Sequence, residues 1–401
     1  MTAPASRGGA LKRAAAAERG PYLPRLYAPG PVAVPPEVLE ALARPVVHHR
    51  TDAFRQSYLR VRAALAELLS VPGDDVMLLT GSGTTAFEAA LTAAVPRGGR
   101  VLALRGGKFG DRWAAMARAL GYRVSEHDVA WGRAFGAEAV LASLERDGPP
   151  DAVTLVHSET STGVLHDVAA LAAAVRSRAP DALVLVDAVT SLAAAELRPR
   201  AWGLDAVVSG SQKGVMLPPG LGFAWLSERA WQRVSDPAQR VQRFTLDLHR
   251  ERPRQRAGDS GTTPATSLVV AAEVALGRLL GEGLECRLRS LERRNRALLA
   301  AGAALGALPF AERPSPAVAA LSVPEGMEAP AVVRALADRG VRIAGGQDHL
   351  KASLVRPSLL GHGDDYDAVV LAAALEDAWR DLGRAAAPGV AVSAAMAVLA
   401  G

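Results

Sequence analysis

The chain has 401 residues, with 46 Lys and Arg against 41 Asp and Glu for a formal charge of +5, and 49% of its residues are hydrophobic and 22% charged. That balance excludes wholesale disorder, and the length allows two domains with separate cores. So small a basic excess, with aromatics at 4% and no basic-aromatic interleaving, argues against a nucleic-acid partner, and no apolar run reaches membrane-spanning length. The lone Cys286 can form neither an internal disulfide nor a zinc site, consistent with a reducing cytoplasm.

In chain order, residues 1–25 carry Arg7, Lys12, Arg13 and Arg19 without the apolar core of a secretory signal, and read as a mobile tail or an arm. Tyr27-Ala28-Pro29-Gly30-Pro31 is an irregular turn, and Pro35-Pro36-Glu37 opens a short helix through Arg44. Phe54, Tyr58, Val61, Leu65 and Leu68 recur at helical spacing between Asp52 and Leu69. An apolar strand, Val76 to Leu79, leads into Thr80-Gly81-Ser82-Gly83-Thr84-Thr85 and the helical pattern Ala86 to Ala94. Such a turn either cradles a phosphate, through exposed N–H groups, hydroxyls and the helix field, or simply caps the helix. Neither GxGxxG nor GxxxxGK[ST] is satisfied, so a nucleotide reading lacks its residues.

Strand Arg100 to Leu104 precedes Gly106-Gly107-Lys108-Phe109-Gly110 and a helix carrying Trp113, Met116 and Leu120. Phe109 can stack on a planar ring there or belong to the core. Strand Tyr122 to Glu126, helix Ala137 to Glu145 and strand Ala152 to His157 continue the alternation, and the hydroxyl-rich Ser158-Glu159-Thr160-Ser161-Thr162-Gly163 follows. This predicts an α/β domain with a largely parallel sheet covered by helices on both faces. Ala182 to Ala188 is an apolar strand ended by Asp187, and Leu204 to Val208 is another, followed by Ser209-Gly210-Ser211-Gln212-Lys213-Gly214. In open α/β sheets the ligand crevice lies outside the carboxyl ends of the strands, so adjacent strands would aim Asp187 and Lys213 into one pocket. Pyridoxal phosphate needs such a pair: a lysine for the aldehyde and an acid for the pyridine nitrogen. The alternative for Lys213 is a solvated lysine on a surface loop.

Gly222 to Leu226 is a further strand, and Arg240 to Arg256 is arginine-dense, either a solvated face or a lure for anionic acids at a site mouth. Ala265 to Leu280 and Cys286 to Leu305 read as long helices, the second tying the large domain to a small one. There Ala317 to Val323, Val341 to Ala344 and Ala352 to Arg356 read as strands, Ala329 to Arg339 and Asp364 to Leu382 as helices, and residues 385–401 as a weakly patterned tail.

The run Ser209-Gly-Ser-Gln-Lys213-Gly with Asp187 upstream, Glu159-Thr-Ser-Thr-Gly163, Gly81-Ser-Gly-Thr84 and Ala28-Pro-Gly-Pro31 closely resembles class V aminotransferases. The branch it is most similar to is the alanine–glyoxylate and serine–glyoxylate (serine–pyruvate) aminotransferases, and the resemblance runs from about Leu26 to about Leu382. It implies the pyridoxal-phosphate-dependent transferase fold type I, with a large domain at 26–282 built on a mostly parallel seven-stranded sheet and a smaller α/β C-terminal domain at 283–384. Lys213 would then carry the Schiff base and Asp187 face the pyridine nitrogen. Ser82, Gly83 and Thr84 would hold the phosphate with Gln212, Phe109 would stack on the ring, and Thr160 would lie near its phenolic oxygen. Thr263 would reach the phosphate of a neighbouring subunit, making a homodimer with shared active sites, and Arg356 and Gly30 would meet the substrate, Arg356 through its carboxylate. Two departures stand out: Pro357-Ser358 after that arginine, and Ser260 where some relatives carry an aromatic. The activity implied is ping-pong transfer of an amino group from alanine or serine to glyoxylate or pyruvate. A lyase or desulfurase on the same frame and a non-catalytic cofactor-binding protein are the alternatives, and Cys286, within an apparent helix, counts against desulfuration.

Overall fold

The computed structural model describes residues 24–236 and 243–401. The basic residues Arg7, Lys12, Arg13 and Arg19, and Arg240 of the arginine-dense run, lie outside the described residues. Strand β1 (Arg25–Leu26) and helices α1 (Pro36–Leu42) and α2 (Asp52–Leu68) come first. The alternation then runs β2 (Val76–Gly81), α3 (Gly83–Ala94), β3 (Arg100–Arg105), α4 (Lys108–Ala119), β4 (Arg123–Asp128), α5 (Ala137–Asp147) and β5 (Ala152–Val156). After a small hairpin, β6 (Ser158–Glu159) and β7 (Val164–Leu165), come α6 (Val168–Arg178), β8 (Leu183–Asp187), β9 (Ala206–Gly210) and β10 (Gly220–Leu226). Helices α7 (Glu228–Ser235), α8 (Leu248–Arg256) and α9 (Thr266–Glu282) complete the large domain.

Among the described residues, seven strands form the large sheet in the order β2-β10-β9-β8-β5-β3-β4. β10 is antiparallel to both neighbours and the other pairings are parallel. The central strands read AVTLV, LVLVD and AVVSG and are buried throughout, as strands covered on both faces must be, whereas the edge strand β4 reads RVSEHD and has no buried residue. Alternation along each strand separates two cores. Val153, Leu155, Val184, Val186 and Val207 pack with α2, α6 and α9 on one face. Ala152, Val156, Leu183, Leu185 and Val208 pack with α3, α4 and α7 on the other.

The long helix α10 (Leu284–Ala304) joins the two domains: Leu291 lies in the large core, and Ala297, Leu298 and Ala301 lie in the small one. The small domain contains β11 (Leu308–Pro309), β12 (Leu321–Ser322), α11 (Ala329–Asp338), β13 (Val341–Arg342), β14 (Ala344–Gly345), β15 (Leu354–Arg356) and α12 (Asp365–Asp381). Its antiparallel sheet runs β11-β12-β15-β14. The expected strand over 317–323 shortens to β12 because Val318 and Ala319 donate instead to the carbonyls of Ser315 and Pro357. β1 pairs in parallel with β13, and Tyr27 joins the small core while its hydroxyl donates to Asp367 at 2.5 Å, so the start of the described chain is bound to the small domain.

One sequence expectation needs correction. Residues 385–401 do not trail off: they end in α13 (Val390–Leu399), whose Ala391 and Ala395 are fully buried in the small core. The buried Glu376 of α12 secures that helix by accepting from the N–H groups of Gly389 (2.6 Å) and Ala391 (3.0 Å). The arginine-dense run contains α8, on which Arg250, Arg254 and Arg256 are exposed, as a solvated face requires. Arg252 and Arg256 bond Asp75, as does Arg62, and against the burial that would raise it these arginines hold the Asp75 carboxyl down to about 2. Asp75 precedes β2, at the edge of the sheet opposite the carboxyl ends of the parallel strands.

Glu376→Ala would leave two N–H groups of the α13 turn without an acceptor, so a loss of about 1–3 kcal/mol is expected. Calorimetry of both proteins should show a lower Tm for the variant, and an unchanged Tm would mean that α13 contributes nothing to the small core.

Candidate active site

Parallel pairing of β8 with β9 sets Asp187 opposite Val208, so both strands end at the same edge of the sheet. Lys213 follows the end of β9 by a tight turn. Ser211 pins this turn by donating its hydroxyl to the Pro218 carbonyl (2.7 Å) and accepting from the Leu221 N–H (3.2 Å). The small residue at Gly214 serves the backbone rather than a ligand, since a Cβ there would run into the Leu192 carbonyl oxygen. Gly30 makes room for the lysine itself: with φ at +135°, a Cβ would sit 2.5 Å from Cδ, Cε and Nζ of Lys213. Nζ donates to the Pro29 carbonyl at 2.5 Å.

Gly30, Ser82, Gly83, Thr84, Phe109, Thr160, Asp187, Gln212 and Lys213 line one cavity of about 290 Å³. The two readings of the Ser82 turn prove compatible. Ser82 and Thr85 form a reciprocal cap, which leaves the first-turn N–H groups of Gly83 and Thr84 with no carbonyl to bond within α3. Phe109 is likewise both cavity wall and core neighbour. Thr160 shares a 2.6 Å hydroxyl contact with Thr190, another wall residue. The buried Oε1 of Gln212 has no hydrogen-bond partner among the described residues.

Two wall residues carry no recognisable sequence motif. Arg112 lines the cavity with its guanidinium 4.8 Å from the Phe109 ring centre, and it is visible in the sequence only as the residue one helical turn after Phe109. Thr190 has only its position after Asp187 to mark it. Glu159, present in the hydroxyl-rich run, turns out to be a buried anchor: its carboxylate accepts from the N–H groups of Phe109 (3.1 Å), Gly110 (3.2 Å) and Ser161 (3.0 Å) and from the Ser161 hydroxyl (2.6 Å). It thereby fixes the start of α4 and the position of Phe109.

Arg356 stands just behind the Thr160 wall. It is buried, its Nε donates to the Gly345 carbonyl (2.8 Å) and its Nη1 to the Thr160 carbonyl (2.7 Å), so it bridges the two domains with Nη2 committed to neither carbonyl. Arg356 is not among the residues that line the cavity, and the Pro357 carbonyl next to it accepts from the Ala319 N–H. Thr263 is not brought to this cavity: with Ser260 and Thr262 it lines a separate one of about 220 Å³. Cys286 is exposed at the start of α10 and is absent from the wall around Lys213.

Burial dominates the electrostatics. It pushes the Asp187 carboxyl up to about 7 although the Val189 N–H donates to it at 2.7 Å, and it brings the Lys213 ammonium down to about 8 although Asp187 opposes that shift. A carboxylate here is therefore costly without a cation beside it. In protein stripped of small molecules, the folded state keeps the Asp187 proton up to about pH 7, whereas the unfolded chain releases it near about pH 4. The folded state binds this extra proton between those values, so the contribution of Asp187 to stability falls as pH rises through that window, while the buried His157 and His166, whose proton affinity burial lowers, act in the opposite sense. Asp187→Asn is expected to remove that contribution, so that the Tm of the variant minus that of the wild type rises between about pH 4 and 7, and a difference that stays constant over that range would contradict the burial argument.

The family model for aminotransferase class V matches residues 29–361. Among solved structures, an aspartate aminotransferase of subgroup IV from Thermus thermophilus is 41% identical, with a TM-score of 0.83 over 89% of this chain and 99% of that one. The soluble hydrogenase 42 kDa subunit of Anabaena cylindrica is 38% identical over 89% of this chain and 94% of its own, and a serine–glyoxylate aminotransferase of Methylorubrum extorquens is 30% identical over 96% and 98%. The name of the Anabaena protein points elsewhere, yet its likeness spans most of the length that the family model covers. The chain belongs to the class V aminotransferases, pyridoxal-phosphate-dependent enzymes of fold type I.

Proposed function

We propose that this cavity holds pyridoxal phosphate and that the enzyme transfers the amino group of a small amino acid, of the alanine or serine class, to glyoxylate or pyruvate in two half-reactions. The observation that carries the reading is the shared burial of Asp187 and Lys213 in one cavity, 3% and 7% exposed, with opposite shifts in proton affinity. The walls suit the group. A buried carboxyl that resists ionising alone accepts a ring N–H cation, and the Gly83 and Thr84 N–H groups are open to acceptors such as phosphate oxygens.

When bound, pyridoxal phosphate supplies an aldehyde that reacts with amines and a ring that accepts the electron pair left when an α-proton departs. Lys213 would hold the aldehyde until a substrate amine replaces it. Burial already lowers the proton affinity of its Nζ to about 8, so about a tenth of the released amine is neutral at pH 7 and would take the α-proton and return it to the former aldehyde carbon. Asp187 would keep the ring nitrogen protonated, and Phe109, fixed through Glu159, would cover one face of the ring. Arg356 would bind the substrate carboxylate through the nitrogen that its carbonyl partners leave uncommitted, and Gly30, in the cavity wall, would leave room for the Lys213 side chain beside the substrate. A cavity of about 290 Å³ shared with the cofactor favours a small substrate.

Thr263, lying away from the cavity of its own chain, supports a homodimer in which it reaches the phosphate of the neighbouring subunit. We place the enzyme in the cytoplasm, since its lone, exposed cysteine suits a reducing compartment. No described helix is long and apolar enough to cross a membrane. A second reading, aspartate as donor, is favoured by the name of the Thermus structure.

Mixing the holoenzyme separately with alanine, serine and aspartate should bleach its visible absorbance with alanine or serine. Bleaching by aspartate alone would establish the second reading, and no bleaching by any of them would sink both. Arg356→Ala should raise KM for the carboxylate substrates about 10- to 100-fold, the scale of a charge-assisted hydrogen bond. An unchanged KM would remove Arg356 from the substrate site.

A further inference from the structure

We infer that Arg112 is the cation that binds the cofactor phosphate, completing a cradle whose other members are uncharged. The inference rests on the reading of the cavity as the pyridoxal phosphate site.

Ser82, Gly83, Thr84 and Gln212 offer hydroxyl, amide and backbone N–H groups but no full charge, and the end of α3 adds about half a positive charge at most. A phosphate monoester carries close to two negative charges near neutrality, and here it would enter a cavity that already has buried Asp187 in its wall and Glu159 nearby. Lys213 is committed to the aldehyde and cannot serve. Arg112 is suitably placed: it lines the same cavity, and its Nη1 lies 3.4 Å from the Thr84 hydroxyl, at the cradle itself. Its guanidinium is held over the Phe109 ring at 4.8 Å, which fixes the direction of the fork without consuming its charge.

The surrounding acids are already matched. Asp111, Glu126 and Asp128 pair with Arg105, Glu126 also pairs with Arg118, and among the described residues no carboxylate forms an ion pair with Arg112. A planar cation kept apart from neighbouring acids and aimed at a cluster of neutral donors has the chemistry of an anion site awaiting its anion. The distal carboxylate of an acidic amino acid would have related chemistry, but the contact with Thr84 favours the phosphate.

The test compares wild type, Arg112→Gln and Arg112→Lys, all freed of cofactor and titrated with pyridoxal phosphate and, separately, with pyridoxal, which lacks the phosphate. Visible absorbance and tryptophan fluorescence report the Kd. The Gln variant is expected to lose at least about tenfold in affinity for pyridoxal phosphate while its affinity for pyridoxal stays within about twofold, with the Lys variant in between. Equal loss for both ligands would show a merely structural role and overturn the inference. So would an unchanged preference for the phosphorylated ligand accompanied by a higher KM for aspartate but not for alanine, which would assign Arg112 to the substrate. Wild type that binds neither ligand would overturn the cofactor reading, and the inference with it.

Discussion

A carboxyl and an amine that water would keep charged are buried in one cavity, and the pairing of β8 with β9 puts them there. Parallel strands share a direction, so the turn leaving one carboxyl end lies beside the turn leaving the next. Had the chain returned antiparallel between Asp187 and Lys213, the two would occupy opposite edges of the sheet. Desolvation then gives each group its chemistry: the carboxyl seeks a cation, and the amine holds its proton less firmly. The antiparallel β10 comes after the lysine turn and, through Leu221 and Ser211, holds it in place.

The rest of the molecule serves this pair by fixing walls. Glu159 has no need to touch a substrate to matter, since its bonds to the first N–H groups of α4 position both Phe109 and Arg112. Arg356 does comparable work between the domains, where two backbone carbonyls hold its fork behind Thr160. The ion pair of Lys108 with Asp348 (2.9 Å) adds a second, exposed tie beside the same helix start. Site geometry thus depends on how the domains are joined as much as on the large sheet.

Much of this was legible in the residues alone, for identifiable reasons. Buried parallel strands are short continuous apolar runs, and the turns after them carry the polar groups, so the placement of Asp187, Lys213 and Ser82 could be read from local pattern. Arg112 could not, because one arginine on a helix resembles any other until the fold sets Thr84 beside it. α13 escaped notice because it is apolar nearly all round and offers no amphipathic period, its order coming from Glu376 in another helix. The arginine-dense run was legible as a solvated face, but the convergence of Arg252 and Arg256 on the largely buried Asp75 was not, because Asp75 lies far away in sequence. Thr263 shows the limit of a single chain, since its expected partner belongs to another copy.

The most direct measurement is the identity of the lysine that holds the cofactor. Reducing the holoenzyme with borohydride and mapping its peptides by mass spectrometry should place the phosphopyridoxyl group on Lys213, leaving Lys12, Lys108 and Lys351 unmodified. A label on any of those three, or on none of the lysines, would contradict the account.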